Sequence, residues 1–176
     1  FGIKILNDRP IIAGHLLGSF ITSLIIGSTS VNDKNQEKII LNDNRFYAGL
    51  LLSPYGHGYL GQNEDSWNSV DRPLMVVTGE KDFDTFQEKV QNKIDPYYLS
   101  PSGNKHLIWF CKIWNSLYGG NNLSENSPYI YLFQDLLATT TTFLDAYSKY
   151  EEDKLKELST NYFQNETQNR ISIAYR

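Results

Sequence analysis

Three short runs of consecutive apolar residues, each stopped abruptly by a turn residue, constrain the fold of this chain most. They end at a glycine or at a Ser-Pro pair, and they occupy residues 10–13, 47–52 and 74–78. Uninterrupted apolar runs of this length are typical of strands buried on both faces of a parallel sheet, since half-exposed strands alternate apolar and polar residues. Segments with helical spacing lie between and after these runs. The pattern therefore predicts an α/β fold, a mostly parallel sheet flanked by helices.

The remaining elements are predicted from apolar spacing and turn residues. Helices are expected at 19–27, 84–93, 107–117, 129–150 and 153–158, a fourth short strand at 97–100, and a brief apolar return at 39–41. Periodicity is weak after Thr160, so residues 158–176 are interpreted as a C-terminal extension of one domain that spans 1–176.

Composition excludes several functional classes. Hydrophobic residues make up 40% of the chain and charged residues 20%, which is typical of a soluble globular protein. The net charge is −4 without a basic stripe, so nucleic acid is not an expected partner. No signal peptide and no apolar run of membrane-spanning length are found, and the compartment is left open. Cys111 is the single cysteine, and neither a metal site nor a cofactor motif is predicted.

The first apolar run leads into a turn with glycines at both ends, residues 14–18 (Gly-His-Leu-Leu-Gly). A nucleophile elbow of the G-x-S-x-G type needs Gly14 and Gly18 at these positions, because strand and helix approach closely there. His15 occupies the position between the first glycine and the centre of the turn. The central residue, which should be serine, is Leu16. An ordinary glycine-bearing junction between strand and helix is the competing interpretation.

An acid and a histidine follow at later turns. Asp82 lies just beyond the third apolar run, where a carboxylate can orient an imidazole. His106 comes after the expected strand at 97–100 and directly before the aromatic segment 107–117, and histidine is the usual general base. Each residue alone is more often structural. The order elbow, Asp, His is the order of the α/β-hydrolases.

Four segments together resemble one branch of that superfamily. They are 10–20 (PIIAGHLLGSF), 47–56 (YAGLLLSPYG), 72–82 (RPLMVVTGEKD) and 138–147 (ATTTTFLDAY). Over residues 1–158 the chain is similar to dienelactone-hydrolase-like esterases, near chlorophyllase-like and platelet-activating-factor-acetylhydrolase-like enzymes. The resemblance implies the C-terminal part of an α/β-hydrolase fold, with the N-terminal strands of the family absent from this sequence.

The resemblance also implies a mechanism, ester hydrolysis through an acyl-enzyme. His106 would take the proton of the nucleophile, Asp82 would orient His106, and the backbone N–H of Leu17 would stabilise the oxyanion. Leu16 has neither a lone pair nor a proton to offer, and losing the nucleophile costs on the order of 10⁶ in turnover. The turn is expected either to have relaxed or to hold the leucine as an apolar plug.

Three functional hypotheses follow. The first is a degenerate or truncated serine esterase acting on a small ester. The second is a non-catalytic protein that binds an ester or another apolar molecule in the residual pocket. Tyr55, Tyr59 and Trp67 would line it, whereas Trp109 and Trp114 have the spacing of core residues. The third is a fragment without independent function, which would associate through an unpaired sheet edge.

Overall fold

The computed structural model describes residues 9–32, 34–83, 90–119 and 127–176. The strands, in chain order, are β1 (Ile11–His15), β2 (Thr29–Val31), β3 (Lys38–Ile40), β4 (Ala48–Leu52), β5 (Leu74–Gly79), β6 (Lys105–Phe110) and β7 (Ile171–Tyr175). The α-helices are α1 (Leu17–Ile25), α2 (Asp95–Tyr98), α3 (Ile130–Ser148), α4 (Glu152–Leu158) and α5 (Tyr162–Glu166). Short 3₁₀ helices occupy Glu64–Trp67, Val90–Ile94 and Asn115–Gly119.

Five of the strands form one sheet in the order β1-β4-β5-β6-β7. The first four are parallel, and β7 pairs antiparallel with β6. The strands β2 and β3 form a separate antiparallel pair. The predicted class, a mostly parallel α/β sheet flanked by helices, is confirmed.

Each face of the sheet carries its own apolar core, because side chains of a strand alternate between the two faces. On one face, Val76 of β5 and Leu107 of β6 pack with Ile26, Trp67 and Tyr97 from the connections between parallel strands. On the other face, Met75, Val77, Ile108 and Phe110 pack against the C-terminal helices, through residues that include Phe143, Ala146, Leu158 and Phe163. The inner strands β4, β5 and β6 are therefore covered on both sides, as fully apolar strands require, whereas β1 at the edge of the sheet is only half-buried.

Two predicted elements are wrong. The segment predicted as a strand at 97–100 overlaps helix α2, which begins at Asp95 with Pro96 beside it, and proline favours the first turn of a helix. The helix predicted at 107–117 is the strand β6 followed by a 3₁₀ helix. Four consecutive large apolar residues fit a strand that is paired on both edges as well as they fit a buried helix. Of the helix predicted at 84–93, residues 84–89 lie outside the described residues.

The segment interpreted as a C-terminal extension contributes α5 and β7. Ile171 is fully buried in the core of the sheet. The backbones of Arg176 and Lys105 exchange two hydrogen bonds of 3.0 Å. This segment therefore covers the edge of β6.

None of the helices in the described ranges is long and apolar enough to cross a membrane.

Candidate functional site at the carboxyl end of the sheet

The turn between β1 and α1, predicted as a nucleophile elbow, has a strained backbone at its centre. Leu16 has φ 50° and ψ −116°, a combination that side-chain-bearing residues rarely adopt. Its N–H donates to the carbonyl oxygen of Leu52, at the end of the neighbouring strand, over 3.1 Å. Ser19 donates its hydroxyl to the Leu16 carbonyl and closes the first turn of α1. The turn has not relaxed, although its central residue is leucine.

The two flanking glycines differ in how strictly the structure requires them. A Cβ atom on Gly14 would lie 2.1 Å from the carbonyl oxygen of Gly18, far inside van der Waals contact. A Cβ atom on Gly18 would meet nothing within 4 Å. The close approach of strand and helix, which the sequence predicted, therefore depends on Gly14. Between them, His15 packs its ring against Tyr118 at 5.3 Å between centroids.

Asp82 lies beyond the end of β5, fully buried, and both of its carboxylate oxygens are occupied. Ser53 donates to Oδ1 over 2.7 Å. Thr78 and Tyr118 donate to Oδ2 over 2.8 Å and 3.1 Å. Sequence reasoning placed Asp82 correctly at a strand end but did not connect it with Ser53, which belongs to the Ser-Pro pair that ends the second apolar run.

A buried lysine completes this cluster. Nζ of Lys93 donates to the Ser53 hydroxyl over 2.9 Å and to the Pro54 carbonyl over 3.4 Å. Burial raises the pKa of Asp82, and this effect is opposed by the charge of Lys93 and by the three hydroxyl donors. Ser53 therefore bridges a buried carboxylate and a buried ammonium group, which is the arrangement of a structural polar network.

The structure does not bring His106 to Asp82. His106 is the second residue of β6 and pairs with Met75, whereas Thr78, which holds Asp82, pairs with Trp109. Three residues along a strand separate these positions by roughly 10 Å. The side chains of Thr78 and His106 also project from opposite faces of the sheet, because successive residues alternate. The prediction that His106 begins a helix beside the acid is wrong.

His106 instead belongs to the aromatic core under α3. Its Nε2 lies 2.7 Å from the hydroxyl of Tyr147, and Phe143, Tyr147 and Tyr175 surround the ring. The side chain is fully buried, and burial lowers its pKa to about 4. His106 therefore lies in the core as a neutral imidazole that is closed off from solvent.

A different histidine lies at the carboxyl end of the sheet. His57 belongs to the glycine-rich loop after β4, and its Nδ1 is 2.7 Å from Oδ2 of Asp95. The same carboxylate oxygen accepts the backbone N–H of His57 over 2.9 Å. Sequence reasoning missed this pair, because 38 residues separate its members and no local pattern connects them. The only signal was the presence of a histidine between two glycines.

An apolar cavity of ≈ 430 Å³ opens beside the elbow. Its walls are Leu17, Tyr55, Gly58, Tyr59 and Leu60. Two of the aromatic residues expected at a pocket, Tyr55 and Tyr59, thus line it with stacked rings 6.3 Å apart. The prediction that Trp67 also lines the pocket is wrong, because this residue is fully buried in the core.

The loop that forms most of the cavity wall is attached to α1 and β2. Gln62 donates to the hydroxyls of Ser23 and Ser28 over 3.4 Å and 3.3 Å, which connects the loop with α1 and its C-terminal turn. Gly61 has φ +70°, and a Cβ atom there would lie 1.9 Å from the Val31 carbonyl oxygen. The loop is therefore held in place by its hydrogen bonds to α1 and its C-terminal turn and by its close packing against β2.

Within the described residues, no group of three or more His, Cys, Asp and Glu side chains is arranged to hold a metal ion. Comparison with known proteins yields no matching family model and no significantly similar curated protein sequence. The candidate site therefore rests on the elbow, the cavity and the His57–Asp95 pair as the geometry presents them.

Proposed function

We propose that this chain is an α/β-hydrolase-type domain that binds small apolar esters or acyl compounds and forms no acyl-enzyme. The observation that carries the proposal is the apolar cavity that opens directly beside an elbow whose centre is Leu16. Hydrolase descent accounts for the shape of the turn, and the leucine accounts for the loss of covalent chemistry.

Support for hydrolase descent comes from features that an ordinary junction would not need. Leu16 has the strained backbone angles expected of an elbow. They cost about 1–3 kcal/mol, and no catalytic serine requires them here. Gly14 permits the contact with Gly18 that the G-x-S-x-G turn requires. A buried acid, Asp82, follows a strand two positions further along the parallel sheet.

The polar groups of the expected triad support binding over covalent catalysis. Both oxygens of Asp82 accept hydrogen bonds from Ser53, Thr78 and Tyr118, so this carboxylate is engaged without any imidazole. His106 packs among aromatic rings at the amino-terminal end of β6, away from Asp82. A leucine in place of the nucleophile then removes the remaining member of the triad.

The lining of the cavity indicates the class of ligand. Its volume of ≈ 430 Å³ lies within the usual range for small-molecule sites, and leucine and tyrosine side chains dominate its surface. The N–H of Leu17 lies in the first turn of α1, where backbone amides have no intrahelical acceptor. An apolar tail against Leu60 and Tyr59, with a carbonyl oxygen near Leu17, satisfies both features.

Binding is tested with 4-nitrophenyl hexyl ether, which cannot be hydrolysed as an ester. The ether displaces the dye 1-anilinonaphthalene-8-sulfonate from the protein, and the loss of dye fluorescence gives the affinity. Leu60→Asp places a carboxylate in the cavity at a residue with φ 49°, a backbone that Asp tolerates better than Leu. We expect at least about a tenfold loss of ether affinity, since burying an unpaired charge is costly. The matched control is Leu137→Glu on α3, a similarly exposed leucine outside the cavity. Equal affinity in all three proteins would reject the cavity as the binding site.

Leu16→Ser distinguishes this proposal from a merely inactivated esterase. We expect no burst of p-nitrophenol from p-nitrophenyl acetate, because the variant still lacks a histidine held by Asp82. A burst stoichiometric with the protein would show that an intact triad surrounds position 16, and the non-covalent proposal would then be wrong.

A further inference from the structure

His57 and Asp95 form a carboxylate–imidazole pair outside the triad predicted from the sequence. A carboxylate can only accept hydrogen bonds, so Nδ1 of His57 carries the proton in the 2.7 Å contact with Asp95. The ring nitrogen that keeps a lone pair is then Nε2. This is the tautomer that a general base needs, and it is set here by a residue from α2.

The backbone around the pair is held as firmly as the ring. Oδ2 of Asp95 also accepts the N–H of His57, and Asn92 donates to the His57 carbonyl over 3.3 Å. A Cβ atom on Gly56 would lie 1.8 Å from the Asn92 carbonyl oxygen, so only glycine permits this approach of the loop to residues 90–95. The position of the imidazole is therefore fixed before any ligand arrives.

The outer edge of the ring is accessible. The side chain of His57 is 41% exposed, and Nε2 has no hydrogen-bond partner within the part of the chain that the structure describes. Residues on both sides of it, Tyr55 and Gly58, line the apolar cavity. An oriented base thus stands on the same loop as the proposed ligand site.

We propose that His57, oriented by Asp95, activates water to hydrolyse an ester held in the cavity, without a covalent intermediate. Nε2 takes a proton from water as the water oxygen bonds to the ester carbonyl carbon. The carbonyl oxygen becomes an oxyanion near the Leu17 N–H. The tetrahedral intermediate then breaks its bond to the alcohol oxygen, which receives the proton back from Nε2. Ester and water give acid and alcohol.

This inference rests on the proposed function, because the ester must first occupy the cavity. The full chain is therefore assayed in two ways, by release of p-nitrophenol from p-nitrophenyl hexanoate and by binding of the corresponding hexyl ether. The parent protein is expected to release p-nitrophenol without a burst, above the rate of buffer. Absence of ether binding would reject both proposals, whereas ether binding without ester hydrolysis would reject this one alone.

The variants separate a catalytic imidazole from a structural one. We expect His57→Gln to bind the ether normally and to lose about 10²-fold or more in kcat, the usual contribution of a general base. His57→Ala should regain hydrolysis when free imidazole is added, which a purely structural histidine would not allow. A full rate in His57→Gln, or no rescue of His57→Ala, would overturn the proposal.

Asp95 is a positioning residue in this scheme. Asp95→Asn should lower kcat and leave KM unchanged, because the amide no longer selects the Nδ1–H tautomer. The matched control is Asp145→Asn on α3, which removes the carboxylate of a partly exposed ion pair with Lys149. A parallel fall of kcat in both variants, or a rise of KM alone in Asp95→Asn, would contradict the role assigned to Asp95.

Discussion

Ser53 donates a 2.7 Å hydrogen bond to Asp82 and accepts one of 2.9 Å from Lys93, so one hydroxyl joins a buried acid to a buried base. This contact explains why the acid of the expected triad is engaged without a histidine. It also ties the end of β4 to the turn after β5.

Ser53→Ala should therefore destabilise the protein. Two buried charged groups lose a partner, and each unsatisfied group costs about 1–3 kcal/mol. We expect the free energy of unfolding, measured by urea denaturation, to fall by at least about 2 kcal/mol. Ser159→Ala is the control, because that hydroxyl is exposed at the end of α4 and its loss should cost under about 0.5 kcal/mol. Equal losses would mean that Ser53 contributes no more than a surface hydroxyl.

The two elbow glycines should respond oppositely to alanine. Gly14→Ala forces a methyl group against the Gly18 carbonyl and should cost more than about 2 kcal/mol or prevent folding. Gly18→Ala has open space around it and lies in α1, where alanine exceeds glycine by about 1 kcal/mol. Thermal denaturation of both proteins checks this. A stable Gly14→Ala variant would show that the turn differs from the elbow described above.

Leu16→Gly should raise the stability, although it removes a half-buried leucine. Glycine adopts φ 50° and ψ −116° without the strain of about 1–3 kcal/mol that leucine bears. Leu17→Gly, one residue on, replaces an exposed residue at the start of α1 and should instead lower the stability by up to about 1 kcal/mol. Opposite signs in urea denaturation support the strained elbow, and a loss in both variants contradicts it.

His106 should make the fold sensitive to acid. Burial lowers its pKa from 6.5 to about 4, so the unfolded chain binds this proton more readily than the folded chain does. The corresponding stability is fully present above pH 6.5 and is lost as the pH falls towards 4, by about 3 kcal/mol in total.

The comparison protein for this effect is His106→Gln, which keeps a hydrogen-bonding side chain beside Tyr147 but cannot titrate. We expect the unfolding free energy of the parent to fall by about 3 kcal/mol relative to that of the variant as the pH falls from 6.5 to 4. Parallel stability curves for the two proteins across this window would show that His106 binds protons equally in the folded and unfolded chain.

The parts of the structure that local sequence determines were predicted. The three uninterrupted apolar runs are the strands β1, β4 and β5, and the glycines around Leu16 belong to a tight strand–helix turn. In each case the determining residues are neighbours in the chain. Residues whose partners lie far along the sequence were misplaced or missed.

The failure at His106 shows the physical reason. Its helical assignment rested on the spacing of large apolar residues in 107–117, but pairing with β5 and β7 buries the run 105–110 as a strand. Tertiary pairing overrode local spacing, and it moved His106 away from Asp82. The contact between His57 and Asp95 is likewise created only by the fold.

The order of the main sheet has a consequence for how the chain folds. Its strands lie side by side in the order in which they occur in the sequence, with β2 and β3 set aside as a pair of their own. Each new strand can therefore add to the edge left by the previous one, and none has to insert between two strands already paired. Growth from one edge therefore requires no paired strands to separate, although each pairing in the main sheet still closes a long connection, which slows assembly.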